Sequence, residues 1–138
     1  PKEEYYVDNC STMDLYLAEI SGDEQYDVAR KKWGSSWRMP TLEESQELFM
    51  LCECEYTTYN GVVGNKVTGP NGNHIFLPAA GYKIWDMHSL CGEKGYYWSG
   101  GSNYLRTFGC KMSFGTTGYL WLYDVYRYEG MTIRPVTD

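Results

Sequence analysis

The sequence predicts an α+β fold, with two helices in the first half and a twisted antiparallel sheet in the second. Three observations carry this. Apolar residues at helical spacing, with start and stop signals, occur only before residue 52. Beyond Cys54 the chain changes to short β-type runs separated by Gly, Asn and Pro. The composition, with 14 Tyr, 5 Trp and 15 Gly in 138 residues, favours strands and turns over a helical bundle. That length suits one domain with a real core but not two. We place its limits at residues 23–138, with residues 1–22 as an N-terminal extension or the end of a preceding segment.

Taken in order, "DEQYDVARKKWG" reads as a short amphipathic helix with Tyr26, Ala29 and Trp33 on one face and Gly34 as its stop. "SSWRMPT" leads to a second start signal. Thr41 followed by Glu44 forms a capping box, and Leu42, Leu48, Phe49 and Leu51 give "LEESQELFMLC" an apolar face. The β-type runs that follow are "EYTTYN", "VVGNKVTG", "HIFLPAAGY", "GYYWSG", "FGCKMSF", "GYLWLYDV" and "MTIRPV". Helices first and antiparallel strands after is an α+β order.

Alternation sorts the aromatic C-terminal runs into faces. In "CKMSF", Cys110, Met112 and Phe114 share one side, and Lys111 and Ser113 the other. In "GYLWLYDV", Leu120, Leu122 and Asp124 oppose Tyr119, Trp121, Tyr123 and Val125. With Gly115 to Gly118 as a turn, the two runs pair as a hairpin. This buries Met112, Phe114, Leu120 and Leu122 and shows Lys111, Ser113, Tyr119, Trp121 and Tyr123 to solvent. A row of exposed Tyr and Trp is what a recognition surface uses, because these rings give large amphipathic contact area at low entropic cost.

Charge removes several partners. A net charge of -6 and a pI near 4.9 offer no cluster of Lys and Arg for nucleic acid or an anionic membrane. No apolar run approaches the roughly 20 residues of a membrane span, so membrane insertion is not expected. "PKEEYYVDN" has neither the charged nor the apolar region of a signal peptide. The five cysteines, Cys10, Cys52, Cys54, Cys91 and Cys110, are irregularly spaced and odd in number, which leaves the compartment undecided.

Catalytic and metal constellations are missing from the pattern. There is no HExxH or GxGxxG, and "GVVGNK" has the wrong spacing for a P-loop. His88 lies three residues before Cys91, but no second pair completes a zinc site, so it reads as a loop histidine near a structural cysteine. Cys52-x-Cys54 is one residue short of the redox spacing and reads as packing, with a disulfide open to it. Glu43, Glu44 and Glu47 read as a solvated face and a complement to the helix dipole. "GPNGN" (69–73) reads as a turn rather than a calcium loop, which needs six to eight oxygens. No cofactor, no metal and no catalytic residue is expected.

"WGSSWRMPTLEESQEL", "TTYNGVVGNKVTGPNGNHIFLPAAGY", "GYYWSG" and "RYEGMTIRPV" together resemble the Fibrobacter succinogenes major paralogous domain family. The resemblance runs from about Tyr26 to Val136. It implies a C-type lectin-like fold and a surface protein of gut Bacteroidetes. It also implies a division of labour. Trp33, Trp37, Arg38, Pro40, Phe76, Leu77, Pro78, Tyr97, Trp98, Arg127, Arg134 and Pro135 match positions that look like scaffold, in the core and turns. Tyr119, Trp121, Tyr123, Asp124, Val125, Tyr126 and Glu129 fall where related domains vary most, including the variable proteins of diversity-generating retroelements. Trp121 departs from that pattern, since its codon does not arise from an Asn template by adenine mutation alone. Signatures of the formylglycine-generating enzymes (G-N-V-W-E-W) and of calcium-dependent sugar lectins (E-P-N or Q-P-D, then W-N-D) are absent.

The expected ligand-binding set is therefore Tyr119, Trp121, Tyr123, Asp124, Val125, Tyr126 and Glu129, with Tyr104 and Arg106. The resemblance implies a non-enzymatic, extracytoplasmic receptor-binding or adhesion domain, displayed on a bacterial surface protein, a pilus tip or a phage fibre. Its ligand would be a protein or glycan on a host or neighbouring cell. The alternative is a structural surface or pilus module whose aromatic face packs on a neighbouring domain.

Overall fold

The segment between residues 20 and 45 is organised by one carboxylate. Asp27 is fully buried. Its Oδ1 accepts the backbone N–H groups of Ala29 (2.8 Å) and Arg30 (3.1 Å), and its Oδ2 those of Gly22 (2.7 Å) and Met39 (2.9 Å). The first pair caps helix α1 (Val28–Trp33). The second pair fastens the loop after strand β1 (Leu17–Glu19) and the residue that follows β2 (Trp37–Arg38). Burying a carboxylate is costly unless its lone pairs are filled, and here four N–H donors fill them.

The computed structural model describes residues 17–103, 108–126 and 129–138, and the side chains of residues 19–102, 109–120, 122 and 129–138. Within these, the fold is α+β with two helices and antiparallel sheets. After β2 come α2 (Leu42–Leu51), β3 (Glu53–Tyr59), β4 (Val62–Thr68) and β5 (His74–Pro78). Then follow β6 (Tyr82–Ile84), β7 (Met87–Ser89), β8 (Gly95–Asn103), β9 (Phe108–Phe114), β10 (Leu120–Tyr126) and β11 (Val136–Thr137). The strands form sheets in the orders β1-β8-β9-β10, β3-β4-β5, β6-β7 and β11-β2.

Helix α2 starts as its sequence dictates. Glu44 N–H donates to Thr41 Oγ1 (3.0 Å), and Thr41 N–H donates to Glu44 Oε2 (2.8 Å), so the capping box is complete. Glu44 also holds Arg38 through both carboxylate oxygens, at 2.7 and 2.8 Å. Arg38 Nε reaches Asp138 Oδ1 (2.8 Å), and Arg30 reaches Asp138 Oδ2 (3.0 Å). The fork of Arg38 holds the Glu44 carboxyl down to about 2 against the opposing effect of burial.

The core lies between α2 and the two larger sheets. Leu42, Phe49, Val67, Leu77, Tyr97, Met112, Phe114, Leu120 and Leu122 form one buried cluster. Phe114 is at its centre, edge-on to Tyr56 with centroids 6.4 Å apart and stacked on Tyr97 at 6.3 Å. Its ring fills the space that a side chain at Gly95 would need, so this strand pair closes only with glycine there.

Several expectations are corrected. Trp33 and Trp37, expected in the core, are 53% and 38% exposed. Helix α1 is capped by Asp27 and runs only six residues to Trp33, with Ala29 as its one buried side chain, so its last residue stays outside the core. Trp37 sits on a two-residue strand paired only with β11, and Arg38 takes the inward side. Arg134, also expected in the scaffold, is exposed, and Arg127 lies outside the described residues. Leu51 is 61% exposed because nine residues at about 100° each carry it to the side opposite Leu42; the buried stripe is Leu42, Ser45 and Phe49. "MTIRPV" gives only a single bridge, at Thr132, before β11. Residues 17–22, read as an extension, supply β1, which pairs with β8 from Leu17↔Asn103 to Glu19↔Gly101.

Asp27→Ala is expected to cost about 3 kcal/mol or more in urea unfolding, since four donors, two of them buried and two part-buried, lose a charged acceptor. Asp27→Asn should retain part of that stability. A second expectation concerns pH. Glu44 is depressed from an ordinary value of 4.5 to about 2, so its contribution is whole above 4.5 and is lost as pH falls through about 2. Glu44→Gln, which keeps the capping box, should remove about 1 kcal/mol at neutral pH, after allowance for solvent screening, and flatten the acid limb over that window.

Candidate ligand-binding face

Strand β10 is the edge of the four-stranded sheet, and its register on β9 is the one the alternation demands. Leu120 pairs with Phe114 and Leu122 with Met112, and all four side chains are at most 5% exposed. Gly118 N–H donates to Gly115 O at 3.0 Å and closes the hairpin turn, with Gly118 at φ 76°, a conformation glycine enters freely. Gly118 O in turn accepts from the buried Asn65 Nδ2 at 2.9 Å, which ties the turn to β4.

With Leu120 and Leu122 inside, Tyr119 is outside at 58% exposure. Trp121 is paired with Ser113, Tyr123 with Lys111 and Val125 with Gly109 along the backbone. The side chains of Trp121, Tyr123, Asp124, Val125 and Tyr126 lie outside the described residues, as do Tyr104 and Arg106 altogether. Of the nine residues expected to bind ligand, the described side chains are thus Tyr119 and Glu129.

On β9 the expected solvent face is closed. Lys111 is 7% and Ser113 6% exposed, not open as the alternation suggested. The reason is what covers this face: Tyr96, paired with Ser113 across β8 and β9, is itself buried, and Glu129 reaches over to Lys111. The ammonium of Lys111 sits 4.6 Å from the Tyr96 ring centroid, within cation–π reach, and 3.8 Å from Glu129 Oε2. Burial pushes the Lys111 amine below its ordinary range, and Glu129 partly offsets this. Tyr96 also meets Tyr82 of β6 edge-on at 5.3 Å. Sequence reasoning missed this Tyr82–Tyr96–Lys111–Glu129 cluster. The spacing of Tyr96 and Lys111 on adjacent strands carried the signal, but only once their register is known.

The positions weighed for chemistry are otherwise engaged. His88 Nε2 lies 2.7 Å from Ala80 O on the β6–β7 hairpin. Residues 69–73 form a turn, with Gly69 N–H donating to Asn73 O at 2.8 Å. Cys52 and Cys54 pack, half-buried, against the core. Among the described residues, no group of three or more His, Cys, Asp and Glu is arranged to hold a metal ion. Comparison with family models, with curated proteins and with solved structures gave no match.

The cluster sets an expectation for Lys111. Lys111→Met keeps the stem that covers Tyr96 but leaves the largely buried Glu129 carboxylate without its ion-pair partner, so it should lose about 1 kcal/mol or more in urea, which the double variant Lys111→Met, Glu129→Gln should recover. Lys111→Ala should lose about 2 kcal/mol through the cavity it leaves.

Proposed function

We propose that this chain is a non-enzymatic ligand-binding domain with a C-type lectin-like fold. It belongs with the Fibrobacter succinogenes major paralogous domain proteins and meets its ligand through the β10 face. The observation that carries the reading is the split on β10: Leu120 and Leu122 are buried while Tyr119 is 58% exposed. Alternation assigns Trp121 and Tyr123 to the side of Tyr119, which makes an aromatic row along a sheet edge. Closure of Lys111 and Ser113 narrows the surface to β10 and the turn before it. In this reading the domain is displayed outside the cytoplasm, on a bacterial surface, a pilus tip or a phage fibre, and takes a protein or glycan without a divalent ion. As a retroelement variable protein it would occur in one genome as chains that differ at 119–129 over a constant frame.

The test uses labelled chain on immobilised glycans and on fixed bacterial and epithelial cells, with and without chelator. A triple variant, Tyr119→Ala, Trp121→Ala and Tyr123→Ala, runs beside it. Wild type should bind one class of target, with chelator irrelevant, and the variant at least tenfold more weakly, as expected when a central aromatic contributes about 2 kcal/mol. Equal binding by the variant favours the structural-module alternative, and calcium-dependent binding refutes the ion-free site. Tyr119→Ala alone should keep its melting temperature, within about 0.5 kcal/mol, while Trp98→Ala should lose about 3 kcal/mol.

A further inference from the structure

The outer edge of β8 changes partners partway along. Tyr96 and Trp98 exchange backbone hydrogen bonds with Thr132, at 3.1 and 3.0 Å, whereas residues 101–103 pair with β1. Between these partners Gly100 N–H donates to Pro40 O at 2.7 Å. At this change-over the sheet edge, the start of α1 and the C-terminal segment do not close on each other. They leave a cavity of about 190 Å³, open on one side and walled by Ile20, Tyr26, Val28, Met39, Trp98 and Ile133.

The wall determines what fits. None of the lining residues carries a formal charge. Ser99, at the base, has its hydroxyl committed, donating to Cys110 O at 2.9 Å and accepting from Gly101 N–H at 3.3 Å. The Trp98 ring is fixed from behind, because it lies against the backbone of Gly109 where a Cβ would come within 2.7 Å. The wall is thus a half-buried indole, the Tyr26 phenol, four aliphatic side chains (Ile20, Val28, Met39 and Ile133) and the backbone of Gly101 and Gly109, so it mixes apolar surface with neutral polar atoms. An apolar cavity of about 150 Å³ holds benzene in an engineered protein, so this volume accepts one six-membered ring with a small substituent. A charged ligand would lose its hydration without meeting an opposite charge in this lining.

We propose that this cavity is a binding site for a small neutral aromatic molecule, separate from the β10 face and independent of the reading given to that face. The ring enters from the open side and packs on Trp98 between Val28 and Ile133.

Benzene, titrated into the full chain up to its solubility and followed by methyl NMR, tests this, with benzoate as the charged control of the same ring. Saturable shifts confined to the methyls of Ile20, Val28, Met39 and Ile133 are expected, with none from benzoate. Val28→Phe, which fills the cavity from α1, should weaken benzene binding at least tenfold while leaving the rest of the spectrum in place. Ile133→Phe fills it from the opposite side should Val28→Phe fail to fold. Shifts that do not saturate, that appear equally at the exposed Met87, that benzoate reproduces or that persist in the filled variants overturn the proposal.

Discussion

Asp27 is the interaction on which the N-terminal third depends. A buried carboxylate is tolerable only if donors converge on it, and four backbone N–H groups from three chain segments do so. The loop after β1, the first turn of α1 and the residue after β2 therefore cannot move independently. Met39, whose N–H is one of those donors, is followed at once by Pro40 and the Thr41 cap, so the same carboxylate indirectly sets where α2 begins. A second polar assembly works from the other side. Arg38 spans Glu44 on α2 and Asp138 after β11, so α2, β2 and the C-terminal residue share one guanidinium.

Between these two assemblies the apolar core has little choice of register. α2 sets Leu42 and Phe49 over the sheet, and Phe114 can lie flat on Tyr97 because Gly95 leaves room. The register that puts Phe114 there also puts Leu120 and Leu122 inside and Tyr119 out. The chemistry proposed for the β10 face is in this sense a by-product of core packing. A side-chain period of two leaves the outer residues free to vary while the inner ones hold the strand.

The capping box of Thr41 and Glu44, the hairpin turn at Gly115–Gly118 and the burial of Met112, Phe114, Leu120 and Leu122 were legible in the sequence because each depends on neighbours a few residues apart. The burial of Lys111 and Ser113 was not. Their hairpin partner is local, but the groups that cover them, Tyr96 on β8 and Glu129 after β10, come from other segments, and nothing in "FGCKMSF" says that these arrive over its face. Asp27 was illegible for the same reason. Two of its donors, Ala29 and Arg30, follow from helix capping, whereas Gly22 and Met39 reach it only through the tertiary fold. Trp33 and Trp37 show the converse error, in which large apolar residues are assumed to be inside although short elements cannot carry them there. Of the candidate site, the hairpin that carries it and the exposure of Tyr119 were readable, while its place on the sheet edge came only with the strand order. The engagement of Glu129 with Lys111 was not readable either.

The strand order also bears on how the fold is reached. β1 pairs with β8, and β2 with β11, so two of the pairings join residues separated by most of the chain. The hairpins β3–β4 and β9–β10 close over short turns and form early at little entropic cost, but neither can seat Asp27 or complete the Arg38 network. The contacts of Arg38 and Arg30 with Asp138 join residues 100 and 108 positions apart and need the long closures, whereas every donor to Asp27 lies within 12 residues of it and can be gathered locally. Interactions formed after the barrier retard unfolding rather than speed folding, so it is the clasp of Arg38 and Arg30 on Asp138, and not the buried carboxylate, that acts as a kinetic lock on the native state.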